Sequence, residues 1–287
     1  MATQLSRAQT LDISPGKNGI GAEVAGIDLA RELSDAQVAE IEQALVRHKV
    51  LFFRDQDMTS QQQLDFGRRF GPLEIHPFAS FKTFTSPPEA PELIIVEAFP
   101  ENPMVAEAWH SDVTWRETPA MASILRVTNV PDEGGDTMWS DMAAAYADLD
   151  NATQRHLSSL TAVHDWHRFR EVLHQTGSTS EQIAELVERF PVMEHPVVRT
   201  HPVSGEKIIY VNGNFTVKIK GMKDSESDAL LQRLYKLADN PAYRARINWQ
   251  PGSVAFWDNR STQHAVAGGV KGYRRMERVT IAGDRPF

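Results

Sequence analysis

Cysteine is absent from all 287 residues. That absence removes disulfides, thiolate nucleophiles, iron–sulfur clusters and Cys-ligated zinc together. Any metal must be held by nitrogen and oxygen, and ten histidines are available. Long apolar runs are missing too, so no segment of ~18 apolar residues offers to span a bilayer. Residues 1–14 are polar and lack the apolar centre of a signal peptide, so a cytoplasmic protein is expected. Positive charge is in deficit: 30 Lys plus Arg stand against 38 Asp plus Glu, for a net charge of −8. Nucleic-acid binders usually carry a basic face, so neither nucleic acid nor membrane is an expected partner. Gly19-Ile20-Gly21 lacks the third glycine of a dinucleotide fingerprint, and Gly16-Lys17 is no phosphate loop. No Gly-x-Ser-x-Gly announces a serine hydrolase.

What is present is an ordinary globular mixture, 41% apolar and 24% charged, at a length that suits one large β-rich enzyme domain spanning 1–287. No internal repeat appears. Residues 34–49 read as a helix: Ser34 and Gln37 form a capping box, and Val38, Ile41 and Leu45 share one face. Val50-Leu51-Phe52-Phe53 reads as a buried strand. Ser60 and Gln63 repeat the cap before a helix near 60–70, ended by Gly71-Pro72. Residues 78–105, rich in Pro, Ser and Thr, read as a long functional loop with a strand at 93–96. A strand follows at 121–128, then a turn at 131–137. A helical insertion covers about 141–190, interrupted at Gly177. Short β runs then fall at 197–201, 207–212, 253–257, 264–267 and 273–282, with a helix at 224–239 capped by Asp224. Regular strand–helix alternation is missing, which argues against a doubly wound sheet. A mainly β jelly roll, a double-stranded β-helix with flanking helices, fits better.

The chemistry begins at Trp109-His110-Ser111-Asp112. In extended chain, residues i and i+2 point to one side, so His110 and Asp112 can converge. A second imidazole would complete a 2-His-1-carboxylate facial triad with open positions, suited to non-haem iron(II). His264 follows the apolar strand at 254–257 and stands at a strand end. The plainer reading is a histidine capping a turn. On the last strand Arg274 and Arg278 share a face. Facing inward, they would need anionic partners, which guanidinium grips through a planar fork. Facing outward, they are surface charge. Gly134-Gly135-Asp136-Thr137 is a tight turn whose hydroxyl could help hold a carboxylate.

Together, the quoted pieces resemble the taurine dioxygenase family, which also includes dichlorophenoxyacetate dioxygenases and alkylsulfatases. The likeness runs from about residue 19 to 287. It takes in Trp109-His110-Ser111-Asp112, Gly134-Gly135-Asp136-Thr137, Trp257-Asp258-Asn259-Arg260, His264 and Arg278-Val279-Thr280-Ile281-Ala282-Gly283-Asp284. The resemblance implies a double-stranded β-helix, iron(II), 2-oxoglutarate as co-substrate and dioxygen. It implies His110, Asp112 and His264 as iron ligands, and Thr137 and Arg274 on the distal carboxylate of 2-oxoglutarate. It implies Arg278, His76 and the backbone of Val113 on a small anionic substrate. It also implies a homo-oligomer, dimer or tetramer.

Two departures bear on this. The loop from His264 to the arginines is a residue shorter than in taurine dioxygenase. Counting forward nominates Arg275 for 2-oxoglutarate, whereas counting back, and the shared strand face, nominate Arg274. By the resemblance, the positions that hold the taurine amine in taurine dioxygenase are here Ala79 and Ala106, whose side chains cannot hydrogen-bond to an amine. A sulfonate or sulfate ester with a less polar body is expected instead, hydroxylated beside the heteroatom with C–S or C–O cleavage. An aryloxyalkanoate or other carboxylate is the alternative. Asp112 argues against halogenation, since related halogenases lack that carboxylate. Two rivals use other chemistry: a zinc hydrolase on the same ligands, and a non-catalytic jelly-roll binding protein. His164 and His167 read as helical packing or surface residues, His195 and His201 as structural, and His48 as a helix-end residue suited to the dipole. Trp109, Trp115, Trp139 and Trp257 are read either as pocket walls or as core.

Overall fold

The computed structural model describes residues 11–79, 85–99 and 108–287. Strands β1 (Asp12–Pro15) and β2 (Ala22–Ala25) lead into helix α1 (Asp35–His48) and strand β3 (Val50–Phe53). Helix α2 (Ser60–Arg68) precedes β4 (Leu93–Ala98), β5 (Ala122–Asn129) and β6 (Thr137–Asp141). Then come α3 (Met142–Ala147), α4 (Asn151–Ser158), β7 (Thr161–His164), α5 (His167–Gln175) and α6 (Ser180–Arg189). Strands β8 (Met193–Pro196), β9 (Val198–Thr200), β10 (Lys207–Ile209) and β11 (Thr216–Ile219) precede α7 (Asp224–Tyr235). The chain closes with β12 (Arg244–Ile247), β13 (Val254–Asp258), β14 (Thr262–Val266) and β15 (Arg274–Ile281).

Seven strands form the large sheet, in the order β1-β2-β3-β13-β5-β15-β4, and β12-β6-β14 form the opposing small sheet. Both are antiparallel apart from the β2–β3 pair. This is the expected jelly roll. Alternation along the central strands divides the core in two. Leu51, Phe53, Ile124, Val254, Phe256 and Ile281 join Ile41, Leu45 and Phe66 of α1 and α2 on the outer face. Phe52, Leu125, Val127, Ala255, Trp257 and Met276 meet Trp139 and Ile247 of the small sheet on the inner face. Burying a large side chain of this kind contributes roughly 1.5–3 kcal/mol, so register is firmly held: a one-residue slip would exchange the two faces.

The structure corrects several expectations. The cap of α2 is Thr59 with Gln62, one residue before the Ser60–Gln63 pair. Ser60 Oγ instead donates to Glu277 Oε2 at 2.8 Å, and buried Gln63 donates to the carbonyls of Ile124 and Glu277. Asp224 is the first residue of α7, whose cap position is Lys223 and lacks a side-chain hydrogen bond. The insertion at 141–190 is not wholly helical, because β7 runs through it and pairs with both β8 and β11. His164 therefore sits on a strand and His167 opens a helix. Strands β1, β2, β8, β11 and β12 lie outside the strand runs expected from the sequence. Part of the long loop at 78–105, and Ala106, lie outside the described residues. No helix among the described residues is long and apolar enough to cross a membrane.

Candidate active site

His110 lies beside β14. Its backbone N–H donates to the His264 carbonyl at 3.1 Å, and the His264 N–H donates to the His110 carbonyl at 2.7 Å. That two-way bridge sets the imidazoles next to each other, with ring centroids 4.2 Å apart and planes tilted by 44°. Ser111 Oγ donates to the Thr262 carbonyl at 2.6 Å, so Asp112 follows on the same side as His110. Ligand atoms of His110, Asp112 and His264 all lie within 4.8 Å of one another, and all three residues are buried. His264 Nε2 is 3.9 Å from Asp112 Oδ1. His110 Nδ1 meets the Ala108 carbonyl at 2.9 Å. A carbonyl only accepts, so the ring proton is on Nδ1 and Nε2 keeps a lone pair.

The electrostatics suit a cation. Burial pushes both imidazoles down, His264 to about 3, with the neighbouring His110 ring pressing it further. Both are therefore neutral lone-pair donors at pH 7. Burial opposes charge on Asp112, but Arg278 and the two imidazoles outweigh it and hold the carboxyl well below its usual range. Two neutral imidazoles and one carboxylate on a single face, without sulfur, form a donor set that fits iron(II). Zinc accepts such a set as well.

The last strand settles which arginines face inward. Arg274 and Arg278 share parity with Met276, which packs on the inner face. Arg275 lies on the other face and is already paired, with Glu277 Oε1 at 2.7 Å and Thr128 Oγ1 at 2.9 Å. Arg274 is only 2% exposed. Burial pushes its guanidinium down to about 10, and no anion among the described residues offsets the loss of water. Its Nε has no hydrogen-bond partner among the described residues. Gly135 makes room for it: a Cβ there would stand 3.2 Å from Arg274 Cδ, at a φ of 73° that favours glycine. Thr137 opens β6 and is paired with Val266 of β14. Its Oγ1 accepts from Trp249 Nε1 at 3.0 Å, which leaves the hydroxyl proton free to donate.

Arg278 Nη1 donates to Asp112 Oδ1 at 2.9 Å. His76 is buried, and burial together with Arg278 lowers its ring to about 3. Its Nδ1 accepts from the Phe78 N–H at 3.2 Å, so the neutral ring carries its proton on Nε2. Val113 has φ 48°, a costly conformation for a β-branched residue. It is bracketed by anchors: the Asp112 N–H donates to Asn259 Oδ1 at 3.2 Å, and Thr114 Oγ1 is held by Asn212 Nδ2 at 3.0 Å. A train of rings leads away from the His110–Asp112–His264 cluster. Phe215 lies 6.1 Å from His110, Phe169 5.8 Å from Phe215, Phe78 5.4 Å from Phe169, and His76 5.4 Å from Phe78.

Three further histidines take structural roles. His201 Nε2 pairs with Asp258 Oδ2 at 3.0 Å. His164 Nδ1 meets Thr114 Oγ1 at 3.0 Å, and His195 Nε2 donates to the Arg116 carbonyl at 2.9 Å. Trp139 and Trp257 are core residues of the inner face, and Trp257 also lies 4.9 Å from the His264 ring. Asn259 and Ser123, which touch Asp112, are the polar residues that sequence reading left without a role. Asn259 stands in a quoted motif, but only the fold brings Ser123 to it.

The sequence and fold have counterparts among known proteins. A family model described as "Taurine catabolism dioxygenase TauD, TfdA family" matches residues 12–280. The alpha-ketoglutarate-dependent sulfate ester dioxygenase of Pseudomonas putida is 36% identical, over 97% of this chain and 92% of that protein. The alkylsulfatase of Acinetobacter baylyi is 35% identical, over 96% and 86% respectively. Among solved structures, a taurine dioxygenase from Burkholderia xenovorans superposes with a TM-score of 0.81 at 34% identity, covering 96% of this chain and 91% of that one. AAD-2 in complex with Mn(II) and N-oxalylglycine gives a TM-score of 0.79 at 29% identity, covering 96% and 99%.

Proposed function

Because the chain belongs to the taurine catabolism dioxygenase TauD, TfdA family, we propose that residues 1–287 act as one domain hydroxylating a small sulfate ester or sulfonate. It is an alpha-ketoglutarate-dependent dioxygenase, as its relatives are by name. The observation that carries the reading is a pair of inward arginines on β15: Arg278 touches Asp112 of the His110–Asp112–His264 cluster, and Arg274 is buried with no anionic partner among the described residues.

His110, Asp112 and His264 hold the iron(II). Iron bound there supplies dioxygen activation, coupling oxidation of 2-oxoglutarate to succinate and CO2 with hydroxylation of a substrate C–H bond. The chain's own residues do the positioning. Arg274 supplies a planar fork and Thr137 a hydroxyl for the distal carboxylate of 2-oxoglutarate, which relieves the uncompensated burial of Arg274. Arg278 keeps Asp112 ionised and, with the Nε2–H of His76 and the backbone N–H of Val113, grips the substrate's anionic head. Phe78, Phe169 and Phe215 exclude water and suit an apolar carbon body. Ala79 offers nothing to an amine, which disfavours taurine itself. Hydroxylation at the carbon bearing the sulfate oxygen gives an unstable product. Its new hydroxyl loses a proton, the C–O bond breaks, and an aldehyde and sulfate leave. The same step on a sulfonate breaks C–S and releases sulfite.

The aromatic walls also favour a second reading, an aryloxyalkanoate, the substrate class named for the (S)-phenoxypropionate dioxygenase of Sphingobium herbicidovorans. Succinate formation across linear alkyl sulfates, alkylsulfonates and aryloxyalkanoates separates the two. Alkyl sulfates or sulfonates should give kcat/KM at least ~10-fold above aryloxyalkanoates, a difference of about 1.4 kcal/mol in transition-state binding. The reverse order would replace the first reading with the second. The family resemblance supports a dimer or tetramer, which light scattering on the purified protein tests.

A further inference from the structure

We infer that Asn259, together with Ser123, is a positioning residue that restricts Asp112 to a single metal-facing oxygen. The inference rests on the reading of His110, Asp112 and His264 as metal ligands. The two carboxylate oxygens of Asp112 have different surroundings. Oδ1 faces the other ligands, 3.9 Å from His264 Nε2 and 2.9 Å from Arg278 Nη1. Oδ2 is turned into the protein. It accepts from Ser123 Oγ at 2.8 Å and from Asn259 Nδ2 at 3.4 Å.

Asn259 ties this arrangement together. Its Nδ2 also donates to Ser123 Oγ at 2.9 Å. Its Oδ1 accepts from the Asp112 N–H at 3.2 Å and from Trp257 Nε1 at 2.9 Å. Its own backbone N–H donates to the Met121 carbonyl at 2.9 Å. Both side-chain polar atoms of the residue and its backbone N–H are therefore engaged, and it is 1% exposed, with Ser123 at 0%. A fully satisfied buried network of this kind permits one geometry. The amide grips the Asp112 residue at both its backbone and its side chain, so the carboxylate cannot turn about its own axis.

The consequence is coordinative. A carboxylate can bind a metal through one oxygen or both. The triad is useful because it leaves the opposite face of the metal open. A second oxygen from Asp112 would occupy part of that face, at the expense of 2-oxoglutarate or dioxygen. Holding Oδ2 on Ser123 and Asn259 prevents it.

Cobalt(II) in place of iron tests the inference, because its visible absorption reports coordination geometry without turnover. The proteins are wild type, Ser123→Ala and Asn259→Asp. The aspartate keeps the shape of Asn259 but turns an oxygen toward Asp112 Oδ2. Expected is a Co(II) affinity weakened ~10–100-fold in each variant, the range for residues that orient metal ligands. Their visible bands should also change in position and intensity, and 2-oxoglutarate should perturb them less than it perturbs wild type. Wild-type affinity and an unchanged spectrum in Ser123→Ala would overturn the inference. Should Asn259→Asp lose its near-UV circular dichroism, Ser123→Ala alone decides. Failure of the wild-type protein to take Co(II) or Mn(II) would instead remove the metal-site reading, a separate outcome.

Discussion

Arg274 and Arg275 are neighbours in sequence with opposite fates. Counting from one motif nominates one and counting from the other nominates its neighbour. Strand parity supports Arg274, which shares a face with Met276 and Arg278. Arg274→Ala should raise the KM for 2-oxoglutarate ~30–5000-fold, the equivalent of about 2–5 kcal/mol for truncating one member of a buried charge pair. Arg275→Ala should leave that KM within ~2-fold of wild type. Steady-state kinetics with varied 2-oxoglutarate checks both, and a large effect at Arg275 would reverse the assignment. The metal cluster was legible because its spacing carries geometry: His-x-Asp puts two donors on one side of extended chain. His264 could be nominated but not placed, since nothing in the 153 residues of intervening chain shows that its backbone bridges to His110. Ser123 was invisible, as a serine in an apolar strand reads only as an inward-facing position.

At the scale of elements, sequence gave helix and strand types better than their edges. The α2 cap was expected one residue late because Ser60–Gln63 and Thr59–Gln62 carry equivalent signals. Tertiary contacts with Glu277 and Ile124 claim the former pair. Thr59→Ala should cost about 1 kcal/mol by chemical denaturation, and Ser60→Ala should not cost the helix its cap. The insertion was read as helical because Thr161–His164 is too short to show alternation, and only pairing with β8 and β11 makes it a strand. The turn before β6 has a sharper consequence. Gly135 lies at φ 73° and against the Arg274 side chain. Gly135→Ala should therefore raise the KM for 2-oxoglutarate while metal affinity stays near wild type. Calorimetric titration of Mn(II) beside kinetics separates the two, and equal losses in both would point to general disruption of the site.

Across the whole molecule, buried ionisable groups set the pH response. His76 and His264 fall to about 3 on folding, and His110, His164 and His195 are also lowered by burial. Unfolded imidazoles titrate near ~6.5. Between these values the unfolded chain binds protons that the folded protein refuses, so stability is present above the unfolded value and lost as pH falls. Asp112 and Asp258 are lowered despite burial, by Arg278 and Arg260 respectively. Their contribution is present above ~4 and is also lost as pH falls. Both families of groups act in one direction. The metal-free thermal midpoint should drop by at least ~10 °C between pH 7 and pH 4.5, since each kcal/mol moves a domain of this size by roughly 2–4 °C. A flat profile would show that these imidazoles titrate freely. Metal should add about 2.7 kcal/mol at a hundredfold excess over Kd.

The most direct measurement is sulfate release from a linear alkyl sulfate by iron(II)-loaded protein, with and without dioxygen and 2-oxoglutarate. Expected is sulfate in step with succinate, one for one, only when both co-substrates are present, and its loss in His110→Ala. Sulfate released under nitrogen or without 2-oxoglutarate would contradict oxidative chemistry and make the same three ligands the site of a metal-dependent hydrolase.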